Sequence, residues 1–550
     1  MAQERVRTLL EEAQRQVDAG DPVTGALLAL ELLRHDPEPD DLAAIHRILY
    51  EAHFNRKERL VLGGHLGLVN RAAFSPDETR VVTAASDRMV RVWQVRDGAL
   101  IAKLRGHDDE VWSAVFSPDG RLIASASSDG TVRVWDAAGG SGKDVLRGHS
   151  GKVVAVAFSP DGRRLVSASH DSTARIWDVQ AGAEIAVLSG HGGKVWGAAF
   201  SPDGRRILTA SEDATARLWN GTTGEALAVL RGHGGDVVTA RFSADGRQAV
   251  TSSTDGTARL WNGVTGAPGP ILRGHTNQLI SARFSPDGSM VSTASRDGSV
   301  RLWNTATGAQ AAVLLGHRSW VNDAVFTPDG RQVASVAVDW QARIWDVGNG
   351  AGRAVLAGHQ NDIHGGVFSA DGRHLLTAST DGTARFWNIG GDVETEVIPD
   401  WSGKIGGTPY SPNGSSVVRP GPGNAARILD TESQAERFVL DGHSAPVTAA
   451  VFSPDGKRIL TGSADETARL WDAETGRELG VMRGARSAIR SVAFNDDGGQ
   501  AMVLSTDGTM RQYRIFATLR DLAAHEKAAL PRQLTSTQRR QFWLLGPANE

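Results

Sequence analysis

The 550-residue chain contains no cysteine, which excludes disulfides, thiolate metal sites and a cysteine nucleophile. Tyrosine is scarce, at 3 residues against 15 tryptophans, and so is lysine, at 8 against 51 arginines. The net charge is only −4 and the sequence pI is near 6.5, so the clustered positive charge that general binding to nucleic-acid phosphates needs is missing. No apolar run approaches the about 18 residues of a membrane span. The opening segment MAQERVRTLLEEAQ is charged and helical in pattern, unlike a secretory leader. What the chain has in plenty is glycine, tryptophan and a repeat.

The dipeptide Gly-His places its histidine at His65, His107, His149, His191, His233, His275, His317, His359 and His443, spaced by 42 residues and finally by two such steps. Trp401 stands at the skipped place and Ala485 one step further, which makes eleven units. In the second unit, Val111 to Phe116 is a mostly apolar run ended by Ser117-Pro118-Asp119-Gly120, a type I turn pattern. Leu122 to Ala126 follows, then the hairpin signal Asp129-Gly130, a β-branched run through Trp135, and a short segment at Val145-Leu146. Four strands per repeated unit predict an all-β array of eleven propeller blades over residues 59–516. Segments 1–58 and 517–550 are predicted to be helical, and unit 389–430 is degenerate and proline-rich. Eleven blades exceed an ordinary ring, so the expected division is a seven-bladed ring plus a four-unit second lobe, with an open or oversized ring as the alternative. Arg59-Leu60-Val61-Leu62 matches a fourth-strand segment and is expected to close a ring on the last unit's third strand.

These units resemble those of WD-repeat β-propeller proteins. The resemblance implies a hydrogen-bonded network in each blade, here His107, Ser127, Asp129 and Trp135, and its equivalents in the other intact units. The first and seventh units have Ala85 and Ala337 at the serine place, and the eleventh has Ala485 and Tyr513. Those blades are expected to be weaker. Nine histidines and nine tryptophans are thereby assigned to blade frames rather than to chemistry. Gly139-Gly140-Ser141-Gly142-Lys143 lacks the spacing of a phosphate loop, and His46 with His53 lacks further metal ligands. No cofactor and no metal are expected.

Near-identical units differ most at the residues flanking the valine of Gly-His-x-x-x-Val, which project away from it on a strand. The expected partner-binding rim comprises Glu110, Trp112, Lys194, Trp196, Trp320, Asn322, Asp362, His364 and Arg490, with the three tryptophans as anchors. Trp340, in a turn where other units carry glycine, adds an exposed aromatic at a blade edge. Lys404/Gly406 are the equivalent pair of the degenerate unit.

The helical head, the repeat array and a tail beginning at Leu534, with Thr535 and Gln538 as a capping box, together resemble the C-terminal sensor half of bacterial STAND-type NTPases. The resemblance implies a non-enzymatic, cytoplasmic scaffold or sensor in signalling or defence. It would bind proteins, among them a separate NTPase or effector subunit, and neither nucleic acid nor membrane. The alternatives are an enzyme using Asp362, His364 and Arg490 in the propeller channel, or a passive structural scaffold.

Overall fold

The computed structural model describes residues 2–35, 37–389, 395–398, 409–485, 487–495, 497–507, 509–542 and 544. Trp401, Lys404, Gly406 and Trp543 lie outside the described residues. Two compact units form: residues 60–387, and residues 1–59 together with 388–550. The array read from the sequence as one stretch is divided between them.

Within one repeat the local chemistry acts as the turn signals suggest. Strands Val111–Phe116, Leu122–Ser127, Val132–Asp136 and Gly142–Leu146 pair antiparallel in sequence order. At the first turn the Ser117 hydroxyl donates to Asp119 (2.6 Å) and accepts the Leu122 N–H (2.9 Å), so side chains satisfy the turn's backbone. Gly130 sits at φ +80°, the left-handed conformation that the second hairpin requires. Where this place holds Arg88, Ser172, Ala214 or Trp340, those residues adopt positive φ as well. Second strands are buried almost throughout, whereas fourth strands are mostly exposed and so form the outer edge of each blade.

The unit 60–387 holds eight four-stranded sheets. The first strands of successive blades contact one another in turn, and the first strand of blade one also contacts that of blade eight, which closes the ring. Arginines lock neighbours together: Arg80 donates to Ala137 O (2.8 Å) and Gly120 O (2.9 Å) of the next blade. The ring is therefore eight-bladed, not seven-bladed. The reason lies in one strand. Glu58–Leu62 fills the fourth place of the eighth sheet, beside Ala384–Asn388, instead of pairing with the last repeat. The segment that would fill that place by repeat phase, Thr395–Ile398, pairs instead with Met510–Arg514, the third strand of the eleventh repeat.

Among the described residues the other unit carries three sheets rather than four. Ser416–Pro420, Ala426–Asp430 and Glu436–Leu440 form a three-stranded sheet, extended by a bridge from Tyr410 to Val417. The tenth and eleventh repeats supply the two four-stranded sheets. Five α-helices belong to this unit among the described residues: α1 (Ala2–Asp18), α2 (Pro22–Leu32), α3 (Pro39–Asn55), α4 (Leu519–Ala529) and α5 (Ser536–Gln541). Asp21 caps α2, and Thr535 with Gln538 forms the capping box of α5. Helix α3 packs on the fourth strand of the tenth repeat, so this strand, unlike its counterparts, is buried. A Cβ at Gly480 would come within 2.9 Å of Tyr50, which is why the strand carries glycine there. The Tyr50 hydroxyl both donates to Phe516 O (3.0 Å) and accepts the Phe516 N–H (2.9 Å). Glu526 of α4, fully buried, meets His53 (3.0 Å) and Arg56 (3.0 Å). No helix among the described residues is long and apolar enough to cross a membrane.

Each intact blade is pinned by a buried network, and its hydroxyl is not the one expected. His107 Nδ1 meets Asp129 (2.7 Å), but its Nε2 meets Ser125 Oγ (2.8 Å), which also accepts the Trp135 indole N–H (2.9 Å). Ser127, two residues on, donates instead to Asp109 O (2.9 Å) and accepts the Asp129 N–H (3.1 Å). Accordingly the first and seventh blades are complete in spite of Ala85 and Ala337. Thr83 links His65 (2.7 Å) with Trp93 (2.8 Å), and Ser335 links His317 (2.7 Å) with Trp345 (2.7 Å). The expectation of weakness there is corrected. In the eleventh repeat Val503 holds the hydroxyl position, and Tyr513 donates to Arg483 O (3.1 Å).

Two outcomes follow for stability. Ser125→Ala strands two buried donors or acceptors, at a cost of about 1–3 kcal/mol each. Ser127→Ala removes a contact that two blades already do without. Urea unfolding should show the first substitution costing at least about twice as much as the second.

The histidines set the pH response. Burial, with the Arg91 charge adding to it and Asp87 opposing, pushes His65 down to about 4 from 6.5. Burial likewise lowers His149, His191, His233 and His275 against the pull of their aspartates. Burial alone would raise the Asp213 carboxyl, but bonds from Thr215, the Gly192 N–H and His191 outweigh it and hold the group at about 2. A histidine with a lowered folded pKa binds protons more readily when unfolded. Stability is therefore expected to be flat above about pH 7 and to fall as pH drops from 6.5 towards 4. The aspartates add a further loss only below 3.8. Urea midpoints measured across this range check the order of the two phases.

Candidate functional site

Variable residues gather at one end of the ring, where the first strands begin and the hairpins between second and third strands turn. The structure does not treat the three rim tryptophans alike. Trp112 is half-buried and its Nε1 donates to Ser128 Oγ (2.8 Å). Trp196 is half-buried too, edge-on to His170 of the preceding blade (centroids 5.0 Å) with the Lys194 ammonium 5.7 Å from its ring. Lys194 also pairs with Glu212 (3.2 Å). Trp320 is 46% exposed, and the Arg296 guanidinium of blade six lies 4.5 Å over its ring. Trp340 is 49% exposed at φ +67°. The Val338 N–H donates to Trp320 O (2.9 Å), so both aromatics sit at the same end of blade seven.

Other rim residues brace the ring. Asn322 donates to Ile363 O (2.9 Å) of blade eight. Asn70 donates to Val111 O (3.0 Å) and to Glu110 (3.1 Å) of blade two. His364 meets Thr380 Oγ1 (2.8 Å) through Nε2, with the charges of Asp362 and Glu110 nearby. Asp362 and His364 belong to the ring, while exposed Arg490 belongs to the other unit. The three candidates for channel catalysis are thus not gathered in one unit.

Two constellations escaped the sequence reading. In the helical unit, His53 comes together with His525 and Glu526 rather than with His46, their ligand atoms lying within 4.8 Å of one another. The donor set suits a cation, but both Glu526 oxygens are already engaged, one by His53 and one by Arg56, whose charge repels a metal ion. This cluster is a clasp between α3 and α4. The second constellation lies among the first strands of the ring. Asp323, 6% exposed, accepts Arg283 Nε (2.8 Å) and Nη2 (2.6 Å), Ser281 Oγ (2.7 Å) and the Ala324 N–H (3.0 Å). Arg241 and Arg71, from blades five and one, lie within electrostatic reach of this pair. The Arg283 charge and then burial push Arg241 down to about 9, still cationic at neutral pH. Enclosure by the ring and then the Arg283 charge lower Arg71, although solvent reaches it. The signal was present in the sequence: these places hold alanine, valine, serine, threonine or glycine in the other blades.

Comparison with known proteins agrees with the fold. Residues 56–94, 98–136, 140–178, 182–220, 224–262, 266–304, 308–346, 352–388 and 435–472 match the family described as WD40: WD domain, G-beta repeat. Among solved structures, the chain is similar to the crystal structure of the computationally designed Ika8 protein. The identity is 28% and the TM-score 0.55, over 60% of this chain and 100% of that one. None of the curated proteins compared with the chain matches it. With nine matched segments that together span more than half of its length, the chain belongs to the WD40-repeat family.

Proposed function

We propose that the chain is a protein-interaction module that docks a partner on the variable end of its eight-bladed ring. WD40 repeats generally serve as non-enzymatic interaction scaffolds. The observation that carries the assignment to this face is the pairing of Trp320 and Trp340 at one end of blade seven, each about half exposed. Tryptophan and arginine dominate binding hot spots, and Arg296 already stacks on Trp320. Trp112 and Trp196, held by Ser128, His170 and Lys194, offer rigid edges around that centre instead of free anchors. Glu110, Asn322, Asp362 and His364 add polar groups along the same face. The helices and the tail after Leu534 support a role as the sensing part of a bacterial signalling or defence system, coupled to a separate NTPase or effector subunit in the cytoplasm. Exposed Arg490 would serve a contact of the helical unit.

The test is affinity purification followed by quantitative binding with the purified partner. Trp320→Ala combined with Trp340→Ala should weaken binding by about 30-fold or more, the scale of a hot-spot loss of at least about 2 kcal/mol. Trp112→Ala with Trp196→Ala should cost less. Unchanged binding in both folded double variants would leave the face a passive surface and overturn the proposal.

A further inference from the structure

The ring's interior holds charge that its own residues do not balance. At the two inner-strand register positions represented by Arg71 and Ala73 in blade one, the eight blades carry sixteen residues. Only Arg71, Arg241, Arg283 and Asp323 among them are charged. Asp323 is saturated by Arg283, Ser281 and the Ala324 N–H, so it neutralises one guanidinium and has little left to offer another. Among the described residues neither the Arg71 nor the Arg241 side chain has a hydrogen-bond partner, and Arg241 Nε is buried without one. Blades one and five are opposite each other in a ring of eight, so the two side chains approach from facing walls. Ser113, at the Arg71 position of blade two, also has a buried Oγ without a partner.

The first strands of the neighbouring blades four and eight leave open space. Gly197 and Gly365 hold the Arg71 position in blades four and eight, and a Cβ added at either would meet nothing within 4 Å. The partly buried Arg241 and the more open Arg71 repel each other as well as Arg283, and a guanidinium does not release its proton at neutral pH to relieve this. Nothing in blade folding calls for them, since the other blades place small or apolar residues there. Planar forks of N–H donors fit the oxygens of tetrahedral anions, and two surplus positive charges match a dianion.

We propose that the central channel of the eight-bladed ring binds a phosphate group, held between Arg71 and Arg241. Arg283 is positioned beside them by Asp323. The ligand is a small, soluble phosphate-bearing molecule, entering from the end at which solvent reaches Arg71. This site is independent of partner docking on the rim.

Isothermal titration of the full chain with inorganic phosphate, pyrophosphate and a simple phosphate monoester tests the site, with acetate at matched ionic strength as the reference. Saturable binding of one phosphate-bearing ligand per chain is expected, at least about tenfold tighter than any response to acetate. The free ion binding as tightly as the ester identifies free phosphate as the occupant, and tighter ester binding identifies a carried group. Arg71→Gln and Arg241→Gln should each weaken binding about tenfold or more, while Arg121→Gln, on an exposed turn, should leave it unchanged. Without phosphate, Arg241→Gln should melt at the same temperature as the parent or higher, because it removes like-charge repulsion. Phosphate should no longer raise that melting temperature. Equal binding by the parent and both channel variants, or a response to phosphate no greater than to acetate, would overturn the proposal.

Discussion

A single hydroxyl on the second strand of each intact blade joins the indole of the third strand to the histidine that precedes the first. Through Nδ1 the same histidine reaches the aspartate of the second hairpin. The second and third strands, the hairpin between them and the loop that leads into the first strand are thereby tied at one buried point. Each member depends on the others: indole N–H, imidazole and carboxylate would all be costly inside a blade if left unpaired. The aspartate also takes the N–H of the residue after the histidine, as at Asp108 (3.1 Å), so the approach to the first strand is held from the hairpin side. Because the frame fixes these loops, residues beside them can vary without loosening the blade. The rim is variable for that reason, and its geometry is nonetheless rigid.

Blade closure rests on a different constraint, the supply of outer strands. A blade lacking its fourth strand exposes the edge of its third, and Glu58–Leu62 and Thr395–Ile398 each cover such an edge away from their neighbours in sequence. The result is that one strand from before the repeats seals the ring, and one strand from the worn region completes the last sheet. The degenerate region is thus the place where repeat phase is handed over. Helix α3 then covers the one fourth strand that the tenth repeat would otherwise expose.

The periodicity made the blades legible, because turn chemistry and strand alternation recur at fixed spacing. The capping residues made the helices legible for the same local reason. Two things were not local. Ser125 and Ser127 lie on one face of the same strand, and both are hydroxyls two residues apart, so only the positions of His107 and Trp135 in space decide between them. Ring number depended on which third strand Leu60-Val61-Leu62 chooses, and every blade offers much the same edge. The channel charges were legible in principle. They stand two and four residues beyond the repeat's valine, at places where the other blades carry small or apolar residues, so their clustering emerges only when the blades are closed into a ring.

A ring of near-identical blades carries a built-in obstacle to specific recognition, since symmetry presents each group eight times around the axis. Specificity must come from departures. Blade seven departs outward, with Trp320 and Trp340 on its face, and inward, with Asp323 anchoring Arg283 of blade six. Blades one and five depart by single arginines on facing walls, and blades four and eight by glycines that leave space. These departures are not spread evenly, as drift over a tolerant surface would leave them. The buried one is also self-organised: Ser281 and Arg283, from one strand, grip the same carboxylate from the next blade. That grip aims a guanidinium already neutralised by its partner and leaves two others without one. A stabilising motif would have ended with charge balance, whereas this arrangement ends with an excess and an open space beside it.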